Sequence, residues 1–343
     1  MRKLLNILFV TNPDSYLTKE GENVVISVDK EKKLQLPIHT LEGIVCFGYA
    51  GASPSLMHMC ATKGVGLSFH NEYGKFLARV NGPVQGNVLL RKKQYKASED
   101  KEYSLNIAKN CITAKVLNSR NILQRAIRDH KSEVDCKRIE TVVNRMQMSI
   151  KNIEEADNID SLRGIEGDSS KWYFSVLDEL ILHQKEDFYM TSRNKRPPKD
   201  NFNALLSFLY TMLAHDVQSA LESVGLDPYV GFLHQDRPGR ASLALDLMEE
   251  LRGFMSDRLA ISLINRKQIS PNDFTVKENE AVLMDKVTRK TVLENIHKRK
   301  KEEIMHPFLN EKISIGLIPY AQALLLARYL RGDIDTYPPF IWR

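Results

Sequence analysis

The hydrophobic pattern of the chain changes its period once. Up to about residue 90, short runs rich in β-branched and aromatic residues recur between turn-forming residues, and these runs lie at 4–10, 23–28, 42–49, 65–70 and 75–80. From about residue 95, apolar residues instead recur every three or four positions with charged residues between them. The first pattern is typical of strands and the second of helices. The sequence therefore predicts an α+β protein in which a small β-rich part precedes a larger helical part.

The change of period also predicts where the domains lie. We expect a β-rich amino-terminal domain at 1–90, a linker at 91–100 that begins with Arg91-Lys92-Lys93, and an all-α domain at 101–343. A total of 343 residues agrees with two domains of ordinary size. Within the first domain, residues 53–64 predict one short helix that Ser53 or Ser55 begins and Gly64 ends. The helical segments are predicted at 104–127, 133–156, 165–184, 201–224, 241–260, 278–303 and 315–331.

Basic residues are gathered in two stretches. The whole chain has 49 Lys and Arg against 43 acidic residues, a net charge of +6 that permits a polyanionic partner without requiring one. Residues 192–199 hold four Lys or Arg and no acid, and residues 286–301 hold seven against one acid. Such clusters are typical of binding to a phosphate backbone, although a solvated helix face has the same pattern.

The cysteines and the apolar runs bear on the cellular compartment. The four cysteines are far apart and form no CxxC pair, which argues against a zinc ribbon or a disulfide framework and favours free thiols in a reducing cytosol. No apolar run approaches the roughly 20 residues that span a bilayer. The apolar start of the chain is interrupted by Asn6 and is predicted to be a first strand. We expect a cytoplasmic protein without a membrane partner.

Residues 225–252 carry the densest group of chemically active side chains. An apolar run ends at His234, a basic turn with Arg237 and Arg240 follows, and a new helix is predicted from about residue 241. Arginines in such a turn are suited to holding DNA phosphates. The turn therefore predicts phosphate contacts next to an imidazole.

Three acids lie on the predicted helix that begins near residue 241. Asp246 and Glu249 are one turn apart and are expected to point away from its apolar face, with Glu250 beside Asp246. A further acid, Glu166, lies between two glycines in the stretch 163–167, just before a predicted helix. Glycines beside an acid let a bulky group approach it. A hydrated polar helix face and a plain helix start would give the same patterns.

A Glu, a His and a second acid from separate segments form a donor set for a metal ion. Carboxylate oxygens with one imidazole and no cysteine favour Mg²⁺ or Mn²⁺ over structural zinc, and the imidazole favours Mn²⁺. Such an ion polarises a phosphoryl oxygen in phosphodiester chemistry. The residues thus indicate DNA phosphoryl transfer without a protein nucleophile.

Four stretches together resemble the CRISPR-associated adaptation integrases, the Cas-one family. They are GIEG with the aromatic pair that follows it, RPPKDNFNALLSFLYTMLAHDV, GLDPYVGFLHQDRPGRASLALDLMEELR and IPYAQALLLARYLRGDIDTYPPF. The resemblance covers nearly the whole chain, and the length and these stretches are similar to the subtype I-C branch. That family also has a β-rich amino-terminal domain followed by a helical catalytic domain.

The resemblance implies a metal-dependent DNA endonuclease and integrase of CRISPR spacer acquisition. Such a protein joins the 3′-hydroxyl ends of short foreign DNA fragments to the CRISPR repeat by transesterification. The Glu of the family's Gly-x-Glu-Gly motif falls on Glu166, its His on His234 and its second acid on Glu249, and these three would bind Mg²⁺ or Mn²⁺ and be catalytic. An additional acid of some members falls on Asp246.

The resemblance also implies partners. These are double-stranded DNA, a second copy of the chain in a homodimer, and a small companion Cas-two protein, with the 1–90 domain serving dimerisation and DNA contact. Two alternatives stay open. One is a metal-dependent, structure-specific DNA nuclease that cleaves without joining strands, and the other is a non-enzymatic DNA-binding scaffold whose acids form an ordinary polar face.

Overall fold

The chain divides into two compact units. A computed structural model describes residues 7–41, 43–48, 50–71, 76–80, 82 and 88–342. The first unit comprises residues 1–86, 286–304 and 313–317, and the second comprises 87–285, 305–312 and 318–343. The amino-terminal part is β-rich and the part after it is mostly helical, so the predicted α+β fold class is confirmed.

Two four-stranded sheets make up most of the described part of the first unit. The strands are β1 (Ile7–Val10), β2 (Ser15–Glu20), β3 (Asn23–Val28), β4 (Glu31–Pro37), β5 (Gly43–Phe47), β6 (Gly51–Ala52), β7 (Gly66–His70) and β8 (Phe76–Val80). One sheet has the order β1-β5-β7-β8, with β1, β5 and β7 parallel and β8 antiparallel to β7. The other has the order β4-β3-β2-β6, an antiparallel meander with β6 parallel to β2.

Five of these strands coincide with the predicted runs, and two longer ones were missed. β2 and β4 are rich in Lys and Glu, so they lack the β-branched signal that marks the others. Each is held by its register with β3, which has the apolar sequence NVVISV. Residues 4–6 of the predicted first strand and residues 72–74 of a predicted turn lie outside the described residues.

The predicted short helix is confirmed as α1 (Pro54–Lys63). The Ser53 hydroxyl accepts the N–H of Leu56, and Gly64 ends the helix at a φ of 69°, which a residue without a side chain adopts without strain. Leu56 of this helix packs in one core with Leu17 and Ile44, all fully buried. Leu17 comes from the second sheet and Ile44 from the first, so α1 and both sheets share that core.

The second unit is built mainly of helices. They are α2 (Val88–Glu99), α3 (Lys101–Asp129), α4 (Cys136–Glu155), α5 (Ile159–Phe174), α6 (Asn201–Ser223), α7 (Ser242–Glu249), α8 (Arg258–Asn265) and, after α9 (Lys286–Lys301) of the first unit, α10 (Ile318–Arg331). A π-helical turn, Arg252–Asp257, joins α7 to α8. The strands β9 (Phe274–Val276) and β10 (Val282–Met284) of this unit pair as a hairpin. Two further short strands, β11 (Glu303–Met305) and β12 (Lys312–Ser314), pair with each other, and most of their residues belong to the first unit.

The structure corrects the predicted linker at 91–100, because most of it lies in helix α2. Its basic residues Lys92 and Lys93 are exposed, whereas Gln94 is fully buried. The Gln94 amide donates to the carbonyls of Asp227 and Val230 at 2.7 and 2.9 Å, and its own oxygen accepts the N–H of Asp227. The charged face of an amphipathic helix was therefore mistaken for a connection.

Three predicted helical segments also differ from the structure. Residues 282–284 form β10 rather than the start of the helix predicted at 278–303, and the segment 241–260 is divided by the π-helical turn. The helix predicted at 165–184 begins earlier, at Ile159, and ends at Phe174.

The basic run 286–301 lies on α9, which belongs to the first unit, where His297 meets the ring of Phe9 edge-on. Chain order alone gives no signal for this return to the first unit.

The structure bears on the predictions about the cysteines and about membrane spans. All four cysteines are free, and Cys46, Cys60 and Cys111 are buried, as predicted. Among the residues described here, no helix is both long and apolar enough to cross a membrane.

Candidate active site

Glu166 lies in the middle of α5, whereas the sequence predicted that it lies where the helix begins. Helix α5 begins earlier because Asn158 caps it, accepting the N–H of Ser161 at 2.8 Å. One turn before Glu166, the Arg163 guanidinium donates from Nε and Nη2 to the carbonyl oxygen of Leu233, at 3.0 and 2.5 Å. Because Leu233 directly precedes His234, this contact fixes the acid-bearing helix against the loop that carries the imidazole.

Glu249 is at the end of α7 and is buried, with 4% of its side chain exposed. The pattern of the helix suggested a solvated polar face, but other helices cover that face. Its Oε1 pairs with Arg252 Nη2 at 3.0 Å and its Oε2 with Lys115 Nζ at 2.8 Å. Burial opposes ionisation of this carboxyl, yet Arg252, Lys115 and His234 together outweigh it and lower its pKa to about 2. Glu249 is therefore an anion at neutral pH.

Lys115 of α3 joins the two predicted acids. Its ammonium donates to Glu166 Oε1 as well as contacting Glu249, and Ser170 Oγ donates to the same Glu166 oxygen at 2.9 Å. The sequence analysis missed this lysine. The available signal was its position on a buried stripe of α3, with Cys111 one turn before it and Val116 after it.

His234 is oriented by Asp246. Its ring Nδ1 donates to Asp246 Oδ1 at 2.6 Å, and the same carboxylate accepts the backbone N–H groups of Phe232, Leu233 and His234 at 2.6 to 3.0 Å. Asp246 is 1% exposed. A carboxylate on one ring nitrogen leaves the other, Nε2, with its lone pair available as a ligand. Asp246, the predicted additional acid, thus lies behind the imidazole.

Gly231 permits this close approach of the loop to Asp246. A Cβ at this position would lie 2.8 Å from Ser242 Cβ and 2.9 Å from Asp246 Oδ2. By contrast, a Cβ at Gly164 or Gly167, on either side of Glu166, would meet nothing within 4 Å. The space beside Glu166 is therefore open, as expected for glycines that let a bulky group approach.

Glu250 turns away from the other acids, toward residues 337–342. Its carboxylate accepts the Tyr337 hydroxyl, the Phe340 N–H and, at 3.1 Å, the Gln322 amide. Asn118 of α3 binds the same segment, donating to the Phe340 carbonyl at 2.8 Å and accepting the Trp342 N–H at 2.8 Å. Residues near the end of the described chain and Gln322 thus supply the partners of Glu250.

Basic residues from three segments lie close enough to repel one another. Burial and the neighbouring guanidinium groups of Arg237, Arg163 and Arg196 lower the pKa of Arg240. Burial, and then Arg252, Arg193 and Arg196, lower the pKa of Lys195 in the same way, while the charge of Glu249 opposes that shift. We call the five residues Arg163, Lys195, Arg196, Arg237 and Arg240 the basic cluster. Such mutual repulsion is relieved by an anion, and a phosphodiester is one.

Glu166, His234 and Glu249 carry the kinds of ligand atom that Mg²⁺ or Mn²⁺ binds. The Lys115 ammonium already lies between the two carboxylates. Glu249 Oε2 is buried and accepts no hydrogen bond from the described residues. The Lys115 ammonium lies 2.8 Å from it as an ion-pair partner. Of the His, Cys, Asp and Glu side chains that the structure describes, no three are placed to hold one metal ion. Glu166 and Glu249 thus both contact Lys115. His234 lies near enough to lower the pKa of Glu249.

Comparison with known proteins places the chain in a family. The sequence model described as "CRISPR associated protein Cas1" matches residues 8–298. "CRISPR-associated endonuclease Cas1 1" of Chlorobaculum tepidum is 49% identical over 343 residues, the full length of both chains. "CRISPR-associated endonuclease Cas1 2" of Rhodospirillum rubrum is 49% identical over 347 residues, again over all of both chains.

Solved structures agree with this fold. A casposase bound to integration product has a TM-score of 0.85 at 22% identity, covering 99% of this chain and 95% of that one. The Cas1-containing chain of a Cas6-RT-Cas1–Cas2 complex has a TM-score of 0.80 at 21% identity, covering 98% of this chain and 36% of that one. The resemblance noted from the four sequence stretches is confirmed, while its subtype I-C branch stays a prediction. The chain belongs to the Cas1 family of CRISPR-associated proteins.

Proposed function

We propose that this chain is a metal-dependent DNA endonuclease and integrase that inserts short DNA fragments into a CRISPR array. The observation that carries the proposal is the convergence of Glu166 and Glu249 on one cation, next to an imidazole that Asp246 orients. Relatives of equal length at 49% identity are named CRISPR-associated endonucleases, which supports the same activity here.

Glu166, His234 and Glu249 are the residues that would hold the metal ion. Glu249 is an anion across the physiological pH range, since its pKa is about 2. Asp246 keeps the proton of His234 on Nδ1, so that Nε2 is the ligating nitrogen. A bound Mg²⁺ or Mn²⁺ ion would polarise a phosphoryl oxygen and stabilise the leaving oxygen of the DNA strand.

Strand joining requires no covalent help from the protein. The fragment's 3′-hydroxyl loses its proton as its oxygen bonds to the phosphorus at the repeat boundary. The bond from that phosphorus to the repeat strand's 3′-oxygen breaks, and this leaving oxygen takes up a proton, so that no net proton is consumed. Positioning and charge stabilisation supply catalysis in reactions of this class. The basic cluster, which includes the predicted contacts Arg237 and Arg240, would hold the DNA phosphates on either side.

Single substitutions of the three proposed ligands test the activity. Glu166→Ala, His234→Ala and Glu249→Ala are each expected to abolish joining of a labelled duplex to repeat DNA in Mn²⁺ or Mg²⁺. Asp236→Asn, an exposed acid of the same loop whose carboxylate accepts only the Gly231 N–H among the described contacts, is the control that keeps activity. Wild-type joining by any of the three alanine variants would remove that residue from the site.

The products of the same assay separate the alternatives. Joined strands indicate integration, and shortened strands alone indicate a nuclease without integration. Salt-sensitive DNA binding that needs no divalent ion, with neither product, indicates a scaffold. The names of the full-length relatives, which are CRISPR-associated endonucleases, favour the first two.

The proposed partners are double-stranded DNA, a second copy of the chain and the small companion protein Cas2. A solved complex with this fold is a Cas6-RT-Cas1–Cas2 assembly, which supports the choice of Cas2. Size-exclusion chromatography with light scattering, with and without Cas2, tests both protein partners. A chain that stays monomeric and ignores Cas2 would contradict this part of the proposal.

A further inference from the structure

We propose that Lys115 is a built-in cation that occupies the position of the divalent metal ion between Glu166 and Glu249 and leaves that position when the metal binds. The inference rests on the proposed function in one respect, namely that these two carboxylates bind a metal ion. Beyond that, it concerns how the protein neutralises Glu166 and Glu249 when no metal is bound.

The contacts place the ammonium where a bridging metal would lie. Lys115 Nζ touches Glu166 Oε1 and lies 2.8 Å from Glu249 Oε2, so one group contacts an oxygen of each carboxylate. The Lys115 side chain is 10% exposed, so this is not a solvated surface ion pair. Arg252 pairs with the other oxygen of Glu249, and therefore does not occupy the same place.

A cation between these acids is needed for the helices to pack. Glu166 comes from α5 and Glu249 from α7, and their negative charges repel each other across a poorly solvated space. Lys115 of α3 neutralises this repulsion from a third helix. Without it, Glu249 would keep only Arg252 as a cation in direct contact, among the ion pairs that the described residues form.

The metal and the ammonium exclude each other. Divalent ions bind carboxylate oxygens at about 2.0–2.2 Å, so an ion on Oε1 of Glu166 and Oε2 of Glu249 would take the oxygens that Lys115 uses. Two cations on the same oxygens also repel. Metal binding is therefore an exchange in which the ammonium is released.

A cavity beside Lys115 gives the released ammonium a place to go. Its lining includes Lys115, Ser169, Ser170, Tyr210 and Asp257. Ser169 Oγ is buried there and has no hydrogen-bond partner among the described atoms. That hydroxyl oxygen lines the same cavity as Lys115 and is an unused acceptor for the released ammonium.

Mn²⁺ affinity of Lys115→Met in the absence of DNA tests the proposal. Methionine keeps the length of the side chain and removes the charge, so Mn²⁺ no longer has to displace an ion pair. We expect the dissociation constant for Mn²⁺, measured by titration of free Mn²⁺ with electron paramagnetic resonance, to fall roughly 10- to 100-fold, the range for charge-assisted hydrogen bonds. Lys109→Met is the matched control on α3, because Lys109 contacts only the Glu154 carbonyl oxygen among the described partners.

Thermal unfolding gives a second readout of the same variant. Metal-free Lys115→Met is expected to melt below the wild type, and Mn²⁺ to raise its Tm by more than it raises the wild-type Tm. An unchanged or weaker Mn²⁺ affinity in Lys115→Met would overturn the proposal and leave Lys115 a structural ion pair. If Glu249→Gln binds Mn²⁺ as the wild type does, the metal site and the proposed function fail instead.

The wild-type protein provides a test that needs no folded variant. Acetylation of amines by a water-soluble active ester, read by mass spectrometry of the Lys115 peptide, should become faster on addition of Mn²⁺, because the released amine is no longer ion-paired. Lys109 should react at the same rate with and without Mn²⁺. A Lys115 rate that does not respond to Mn²⁺ contradicts the exchange.

Discussion

His234 Nδ1 and Asp246 Oδ1 are 2.6 Å apart, and this contact determines which ring nitrogen the site presents. The same carboxylate also accepts three consecutive backbone N–H groups of the loop. Asp246 therefore fixes both the tautomer of the imidazole and the path of the backbone that carries it.

Asp246→Asn is expected to weaken Mn²⁺ binding about 10- to 100-fold, the usual effect of removing the carboxylate behind a ligating histidine. The amide retains the shape of the side chain but loses the negative charge that holds the proton on Nδ1. Mn²⁺ titration measures the change, and Asp236→Asn in the same loop is the control. Wild-type affinity in Asp246→Asn would show that His234 is oriented by other groups.

Gly231→Ala is expected to destabilise the fold by about 1–3 kcal/mol, the usual range for overpacking. The added Cβ would lie within 3.0 Å of Ser242, Asp246 and the His234 carbonyl, so the loop has to move away from Asp246. Urea unfolding measures the loss, and Mn²⁺ affinity should fall with it. An unchanged free energy of unfolding would mean that the loop adjusts without strain.

Gly164→Ala and Gly167→Ala are expected to act in the opposite direction on stability, raising it by about 0.5–1 kcal/mol each because alanine is the better helix former. Both positions lie inside α5 with open space around them. DNA that passes over Glu166 needs that space, so strand joining should fall although the fold is more stable. Full joining activity in both variants would show that DNA does not approach this face.

DNA affinity falls with salt concentration, and the slope of this fall on a double-logarithmic plot counts the phosphate contacts. We expect Lys195→Gln and Arg240→Gln each to reduce the magnitude of that slope by about one. These residues belong to the basic cluster, whose mutual repulsion favours an anion. Arg125→Gln is the control, since Arg125 is already paired with Asp129 on the surface of α3. Slopes equal to that of the wild type would place the DNA elsewhere.

The stability of the helical unit should depend on His306 at mildly acidic pH. Burial lowers the pKa of this imidazole below its ordinary value of 6.5. Its Nδ1 accepts the N–H groups of Phe308 and Leu309, and Nε2 donates to Gln322 Oε1 at 3.1 Å. A base whose pKa is lower in the folded state contributes stability that is complete above the unfolded pKa and is lost as the pH falls below it.

The contribution of His306 to the free energy of unfolding is therefore expected to be lost as the pH falls below about 6.5, so the wild type should lose more stability over that range than His306→Asn. Asparagine retains an acceptor for the two N–H groups but does not titrate. Urea unfolding at pH 7.5 and pH 5.5 measures the difference, and His58→Asn, an exposed residue of α1, is the control. An equally steep decrease in His306→Asn would assign the pH dependence to other groups.

The elements that the sequence predicted well are those whose signals are local. The caps of α1 at Ser53 and Gly64 are chemical features of single residues, and the apolar run of β3 marks its own strand. Strands β2 and β4 could not be predicted in this way, since their charged residues are held in place by pairing with β3. The same holds for the placement of α9 in the first unit, which depends on contacts far along the chain.

The site residues stay predictions, and the sequence gives no indication of what surrounds them. The helical pattern places Asp246 and Glu249 on one side of α7, yet it contains no information on what covers that side. Lys115 comes from another helix and has no motif around it, so only the folded chain reveals that it bridges the two acids. The partners of Glu250 could not be predicted for the same reason, because they lie near residue 340.

The attachment of residues 337–342 to Glu250 and Asn118 has a consequence for biosynthesis. While the ribosome is still translating the segment before residue 337, α3 and the end of α7 lack the groups that later satisfy these two buried side chains. A nascent chain would then carry its acidic residues without the packing that positions them. The packing of α3 and the end of α7 around these two side chains is therefore completed only after residues 337–342 have been synthesised.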